Sequence, residues 1–273
     1  MTSSHTAVEV RPGEGLQTWL MQSPPVNALS PEFLAELDAR LSDAIADESV
    51  SVVVLTSGLK VFSAGADAKW MAGVVSEKGS EALLEEFNRT MDGFRELCLR
   101  MRRSPLLIVA AMNGHTLAGG LELAVACDLR FSSKADSLQV GAPEMNLFGE
   151  MPSGGGGVQF MARLMGPNRA LQFILDGNPV SPSRAFELGL VDRLCEPDSL
   201  LDETERFAAD VARKAGRVGL AAAKRAVFTG VELPLYEALE LDRSLHWESM
   251  RRGNFLAGVD AFVKRFGGQG GSS

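Results

Sequence analysis

Two glycine-bearing stretches, Phe62-Ser63-Ala64-Gly65-Ala66-Asp67 and Ala118-Gly119-Gly120-Leu121-Glu122, stand about fifty residues apart, and Gly141-Ala142-Pro143-Glu144 follows them. Each of the first two can turn the chain so that backbone N–H groups aim at a developing negative oxygen. Glu122 and Glu144 can handle a proton and a water. Two fixed donors with two carboxylates suit chemistry that passes through an enolate.

The run from Leu121 to Cys127 is apolar except for Glu122, so it reads as a buried helix with a carboxylate in its first turn. A helix N-terminus presents unpaired N–H groups and partial positive charge, and Gly119 lets an anion approach closely. The plainer reading is that Glu122 only complements the helix dipole; against it stands the cost of leaving a lone carboxylate in apolar surroundings. In the first stretch the Ala66 N–H is the candidate donor and Asp67 the candidate helix cap, while a plain strand-to-helix turn is the alternative. Glu144 follows Pro143 on a loop among Met145, Leu147 and Phe148. Its alternative is a surface glutamate.

The elements that must position these residues alternate. Val8–Val10 and Leu16–Met21 read as a hairpin, and Ser30-Pro31 starts a helix with apolar residues from Phe33 to Ile45 at helical spacing. Val52–Leu55 and Leu106–Met112 read as buried strands, Ala68–Met71 as a short helix, Val74–Ser80 as a poor helix former, and Glu81–Arg103 as a long amphipathic helix. Short strands are expected at Leu129–Ser132, Leu138–Val140 and Val191–Leu194, with helices at Val158–Met165, Asn168–Leu175 and after Ser181-Pro182. This alternation is α/β with buried sheets. From Asp198 four helical stretches (near 199–214, 217–229, 233–251 and 254–265) contain no strand. The expected organisation is a core over 1–197, a C-terminal helical domain over 198–266, and a flexible tail over 267–273.

With 45% hydrophobic residues in 273, the chain can bury a large core. It lacks an apolar run long enough to span a membrane. Met1–Gly15 does not resemble a secretory signal, and Glu9 and Glu14 argue against a transit peptide. Cys98, Cys127 and Cys195 read as reduced core residues of a cytoplasmic protein, and three scattered histidines do not form a zinc motif. The net charge of −8 disfavours nucleic acid and anionic lipid as partners. Gly154–Gly157 has no Lys-Ser/Thr after it, so it reads as the start of a helix packed on the sheet rather than a phosphate loop. His115 has no Ser or Cys partner in a nucleophile elbow.

Taken in order, Pro25-Val26-Asn27-Ala28-Leu29, Phe62–Asp67, Asn113-Gly114 through Cys127-Asp128, Pro143-Glu144, Leu175-Asp176-Gly177 through Gly189-Leu190-Val191 and Ala261-Phe262-Val263-Lys264-Arg265 resemble the crotonase (enoyl-CoA hydratase/isomerase) superfamily over nearly the whole chain. The resemblance implies a spiral of ββα units, C-terminal helices that mediate trimerisation or a dimer of trimers, and a coenzyme A thioester substrate in acyl-CoA and fatty acid metabolism. No cofactor is implied beyond the coenzyme A of the substrate. Ala66 and Gly119 match the oxyanion-hole positions, and Glu122 and Glu144 match the two glutamates of the hydratase branch. Ala64, Asp67 and Gly120 fall beside them as substrate-binding positions. Lys69 and Lys264 are the candidates for the coenzyme A phosphates, with Lys60 and Arg265 behind them.

The chain departs from the hydratase pattern near the expected acyl pocket. Gly141-Ala142 precedes Pro-Glu, the stretches Glu144–Pro152 and Pro152–Gln159 are each longer by one residue, Trp70 is larger than usual, and Glu150 adds a third carboxylate. With Trp70 and Phe148 shaping the pocket, the expected substrate is other than a simple straight-chain enoyl-CoA. The rival readings are isomerisation, decarboxylation or thioester hydrolysis on the same scaffold, and a catalytically silent acyl-CoA-binding subunit.

Overall fold

The computed structural model describes residues 6–149, 154–253 and 255–267. The chain opens with the expected hairpin, β1 (Val8–Gly13) and β2 (Leu16–Met21), paired antiparallel with Val8 opposite Met21. Helix α1 (Pro31–Ala46) starts where the sequence signals it: Ser30 caps it by accepting from the Phe33 N–H, with Pro31 at the first position.

Three coils follow, each of two strands and one or more helices. The first is β3 (Val52–Ser57), β4 (Val61–Ser63), α2 (Ala68–Lys78) and α3 (Ser80–Arg103). The second is β5 (Leu107–Met112), β6 (His115–Leu117) and α4 (Gly119–Ala126). The third is β7 (Leu129–Ser133), β8 (Val140–Gly141) and α5 (Glu144–Phe148). Helices α6 (Gly157–Met165), α7 (Pro167–Asp176) and α8 (Pro182–Glu187) lead to β9 (Arg193–Cys195). Each coil gives its first strand to a sheet of order β1-β2-β3-β5-β7-β9, parallel from β2 onward, and its second to a parallel sheet of order β4-β6-β8. This winding is the ββα spiral.

The larger sheet is buried on both faces, as its β-branched runs require. Val53, Leu55, Ile108, Ala110 and Met112 face a core shared with α1, α3 and α4. Their strand neighbours Val52, Val54, Val109 and Ala111 face the other way, onto Leu200, Ala208, Ala212 and Leu220 of α9 (Leu200–Gly230). Helices α10 (Leu235–Arg252) and α11 (Phe255–Gly267) complete the described chain. Helix α9, which opens the all-helical region after residue 197, packs on the sheet. Gly216, at φ 59°, kinks α9 between the two stretches read separately from sequence. Among the described residues no helix is long and apolar enough to cross a membrane.

Other expectations need correction. The stretch read as a poor helix former, Val74–Ser80, is helical as far as Lys78 and breaks at Gly79 (φ 89°): α2 continues because Val74 is buried and the helix packs on α3, so packing overrides a weak propensity. Strands β4 and β6 fall where the sequence reading expects no strand. Glu144 opens the short helix α5 rather than sitting on a loop. Strand β8 is shifted C-terminal of the expected Leu138–Val140, and β9 of Val191–Leu194. Helix α6, which the glycine run opens, packs chiefly on α4 and α7. Of the expected tail, Gly267 ends α11, and 268–273 lie outside the described residues.

Candidate active site

The first donor loop leaves β4 at Ser63. A parallel strap, Val26–Leu29, holds it: the Ala64 N–H donates to the Val26 carbonyl (3.0 Å) and the Leu29 N–H to the Gly65 carbonyl (2.8 Å). Buried Asn27 fastens the strap, donating from Nδ2 to the Phe62 carbonyl (3.0 Å) and Ser57 Oγ (2.8 Å), while Ser63 Oγ donates to the Asn27 carbonyl (2.8 Å). The Gly65 carbonyl and the Ala66 N–H belong to one planar peptide, so tying the carbonyl back to Leu29 turns the Ala66 N–H the opposite way. Ala66 is exposed, and its amide has no hydrogen-bond partner among the described residues.

The second loop joins β6 to α4 through Ala118, held at φ 51°, ψ −128°. This conformation is costly for a residue with a Cβ, and the ψ of Ala118 orients the peptide that carries the Gly119 N–H. As the first residue of α4, Gly119 has no intrahelical acceptor. The two loops touch. Gly65 lies at φ +92°, and a Cβ there would stand 2.7 Å from Ala118 Cβ and 2.9 Å from Gly119 N, so only glycine lets the donor peptides lie side by side. Gly120 presses on β4 in the same way, its missing Cβ 2.3 Å from the Ser63 carbonyl oxygen.

Both acids are buried, Glu122 to 3% and Glu144 to 5% exposure. Burial, and secondarily the charge of Glu122, pushes the Glu144 carboxyl up to about 7. The two carboxyls are thus electrostatic neighbours. Glu122 Oε2 accepts the N–H of Gly157, the first residue of α6, at 2.9 Å. A Cβ on Gly155 would meet Phe94 Cδ1 at 2.2 Å and Glu122 Oε2 at 2.9 Å, so this glycine is where the loop closes over the acid. Electrostatically a helix N-terminus favours an ionised carboxylate at that position.

The structure thus brings Ala66, Gly119, Glu122 and Glu144 together, with Ala64 and Gly120 on the same loops. Asp67 caps α2, its Oδ1 accepting from the Lys69 N–H (2.9 Å) and the Trp70 N–H (3.0 Å). Lys69 is exposed and Trp70 half-buried in that first turn; Lys60 is exposed before β4. Phe148 is 56% exposed at the end of α5. Lys264 and Arg265 are exposed on α11, which packs against α10. Glu150 lies outside the described residues.

Three contributors escaped the sequence reading: Asn27, Gly155 and Gly157. Asn27 sits polar within the apolar Val26–Leu29 strap, the one local sign of a buried hydrogen-bonding role. The glycines were visible as a run, but their contact with Glu122 joins residues more than thirty positions apart.

The chain matches the family model described as enoyl-CoA hydratase/isomerase over residues 13–268. A Rhizobium meliloti protein named probable enoyl-CoA hydratase is 35% identical over 261 residues, 94% of this chain and 94% of that relative. The mitochondrial enoyl-CoA hydratase of Pongo abelii is 30% identical over 240 residues, 88% of this chain and 78% of that relative. Among solved structures, an enoyl-CoA hydratase from Bacillus anthracis aligns with a TM-score of 0.86 at 28% identity, covering 95% of this chain and 96% of that one. The span matched by the family model contains both donor loops, both carboxyls and α6.

Proposed function

Because the chain belongs to the enoyl-CoA hydratase/isomerase family, within the crotonase superfamily, we propose that it adds water across the C2=C3 bond of a 2-enoyl-CoA thioester. The observation that carries this reading is the pair of buried, electrostatically coupled carboxyls beside two adjacent backbone donor loops. An isomerase moves a proton within one molecule and needs a single acid–base group. Adding water calls for one group to activate it and another to deliver a proton.

In this reading the Ala66 and Gly119 amides receive the thioester oxygen and stabilise the enolate as the C2–C3 electrons shift. Loss of one such donor typically costs about a hundred- to thousandfold in rate. Glu122, held by the Gly157 N–H, is the base that activates water for attack at C3. Glu144, protonated up to about pH 7, delivers the proton to C2. The two titrate as a pair. Lys69 offers its charge to the coenzyme A phosphates beside the first donor loop. Lys264 would contribute from α11 once copies assemble, as a trimer or a pair of trimers. Trp70 and Phe148 shape the acyl pocket toward a substrate other than a straight chain, and the protein works in the cytoplasm.

Incubation with short, long, branched and aromatic 2-enoyl-CoA thioesters, read by the mass gain of one water, tests the activity and its acyl preference. Glu122→Gln and Glu144→Gln are each expected to lower hydration by about 10²–10⁴-fold. Full hydration after either replacement, or double-bond migration without water uptake, defeats the proposal.

A further inference from the structure

Helix α4 has eight residues, about 12 Å of rigid rod. Its N-terminal end carries the Gly119 amide and Glu122, and its other end is gripped by buried charge. Arg102 Nη2 donates to the Val125 carbonyl (3.0 Å) and Arg130 Nη1 to the Cys127 carbonyl (2.9 Å). Asp128, two residues beyond the helix, is tied to β5 in both directions: its N–H donates to the Ile108 carbonyl (2.8 Å) and its Oδ2 accepts the Ile108 N–H (2.8 Å). Lys224, from the second half of α9, reaches Asp128 Oδ2 at 2.8 Å, the two side chains being 4% and 2% exposed. The same ammonium donates to the Met101 carbonyl (2.8 Å) and the Leu106 carbonyl (2.7 Å), so three segments meet on one nitrogen. Arg102 also lies 4.0 Å from the ring of Phe228 on α9 and 5.1 Å from that of Phe160 on α6, the helix that holds Glu122.

A buried ion pair gains little net stability over well-packed apolar side chains, because desolvation offsets its attraction. It does have one satisfied geometry. A short helix held at its C-terminal end cannot slide along its axis, and cations there also complement the dipole whose positive end points at the site. We propose that Lys224, Asp128 and Arg102 are positioning residues: a clamp on the far end of α4 that sets the Gly119 amide and Glu122. The proposal rests on the hydratase reading for its kinetic consequence but not for its structural one.

The test compares Lys224→Met and Arg102→Lys with Arg217→Met. Arg217 also anchors α9, donating to the carbonyls of Ile45, Asp47 and Val50 at the end of α1, but does not touch α4. The readouts are kcat and KM on a 2-enoyl-CoA, the red shift of a bound aryl-enoyl-CoA (which reports polarisation of the thioester carbonyl), the melting temperature, and hydrogen exchange of the α4 amides. Lys224→Met and Arg102→Lys are expected to lower kcat about 10- to 100-fold with KM nearly unchanged, to shrink the red shift, and to speed exchange in α4. Arg217→Met is expected to lower the melting temperature yet keep kcat and the red shift. Wild-type kcat and red shift in folded Arg102→Lys or Lys224→Met overturn the clamp, as does an equal kcat loss in Arg217→Met. If the wild type neither hydrates nor shifts the bound chromophore, the hydratase reading fails; unchanged α4 exchange in the clamp variants would then overturn the clamp separately.

Discussion

Glu144 carries its proton toward neutrality because it is buried beside a second carboxyl, which raises it from the usual 4.5 to about 7. As proton donor it is competent below that value, so the rate of hydration is expected to fall as pH rises through about 7; a kcat profile that stays flat across that value rules this role out. The same shift affects stability. Between 4.5 and about 7 the folded chain holds a proton that the unfolded chain has released, so stability rises as pH falls through this window. Glu144→Gln should therefore melt higher than the wild type at pH 8, by about 1–2 kcal/mol, with the difference vanishing in acid. Gly155→Ala would drive a methyl into Phe94 and the Glu122 carboxylate, at a cost of about 1–3 kcal/mol and a roughly 10- to 100-fold loss in kcat, read by melting and steady-state kinetics. Glu122 was legible in the sequence because one carboxylate interrupts an apolar helix. Its partner Gly157 was not, since only the folded chain brings α6 to α4.

Helix caps show where local pattern suffices. Ser30-Pro31, Asp67 and Ser181-Pro182 announce their helices through side-chain oxygens that accept the first free N–H groups, and all three cap as read. Asp67→Ala should cost about 1 kcal/mol in melting and raise KM more than it lowers kcat, since it loosens α2 with Lys69 and Trp70 rather than the acids. Strands β4 and β6 were missed because three residues are too few to express an alternation; their strand character comes from pairing Val61 with His115 and Thr116 with Val140. Helix α2 beyond Met71 was missed for the opposite reason: its Val-rich turn is a weak helix former held by α3.

The architecture of the whole was legible through the order of the motifs more than through any single one, and the spiral follows that order. What periodicity could not show is that α9 packs across the larger sheet, because its apolar stripe does not name its partner. Helices α10 and α11 leave Tyr236, Leu239, Trp247, Leu256 and Phe262 more than half exposed. Exposed apolar side chains of this size are what a contact between copies would cover, and we propose that these helices provide one. Replacing Tyr236 and Leu239 together by lysine is expected to shift the protein to smaller species in sedimentation velocity, without loss of helix content. An unchanged sedimentation coefficient counts against these residues as the contact.

The donor after β4, the donor after β6 and the acid that opens α5 beyond β8 come from three successive coils, brought to one place by neighbouring strands of the small sheet. In the proposed hydratase reading each contribution sits on its own connection, so exchanging the third would change what happens to the proton and leave the grip on the carbonyl as it was. On that reading, a lineage built this way would acquire new reactions one winding at a time, with its hold on the thioester kept throughout.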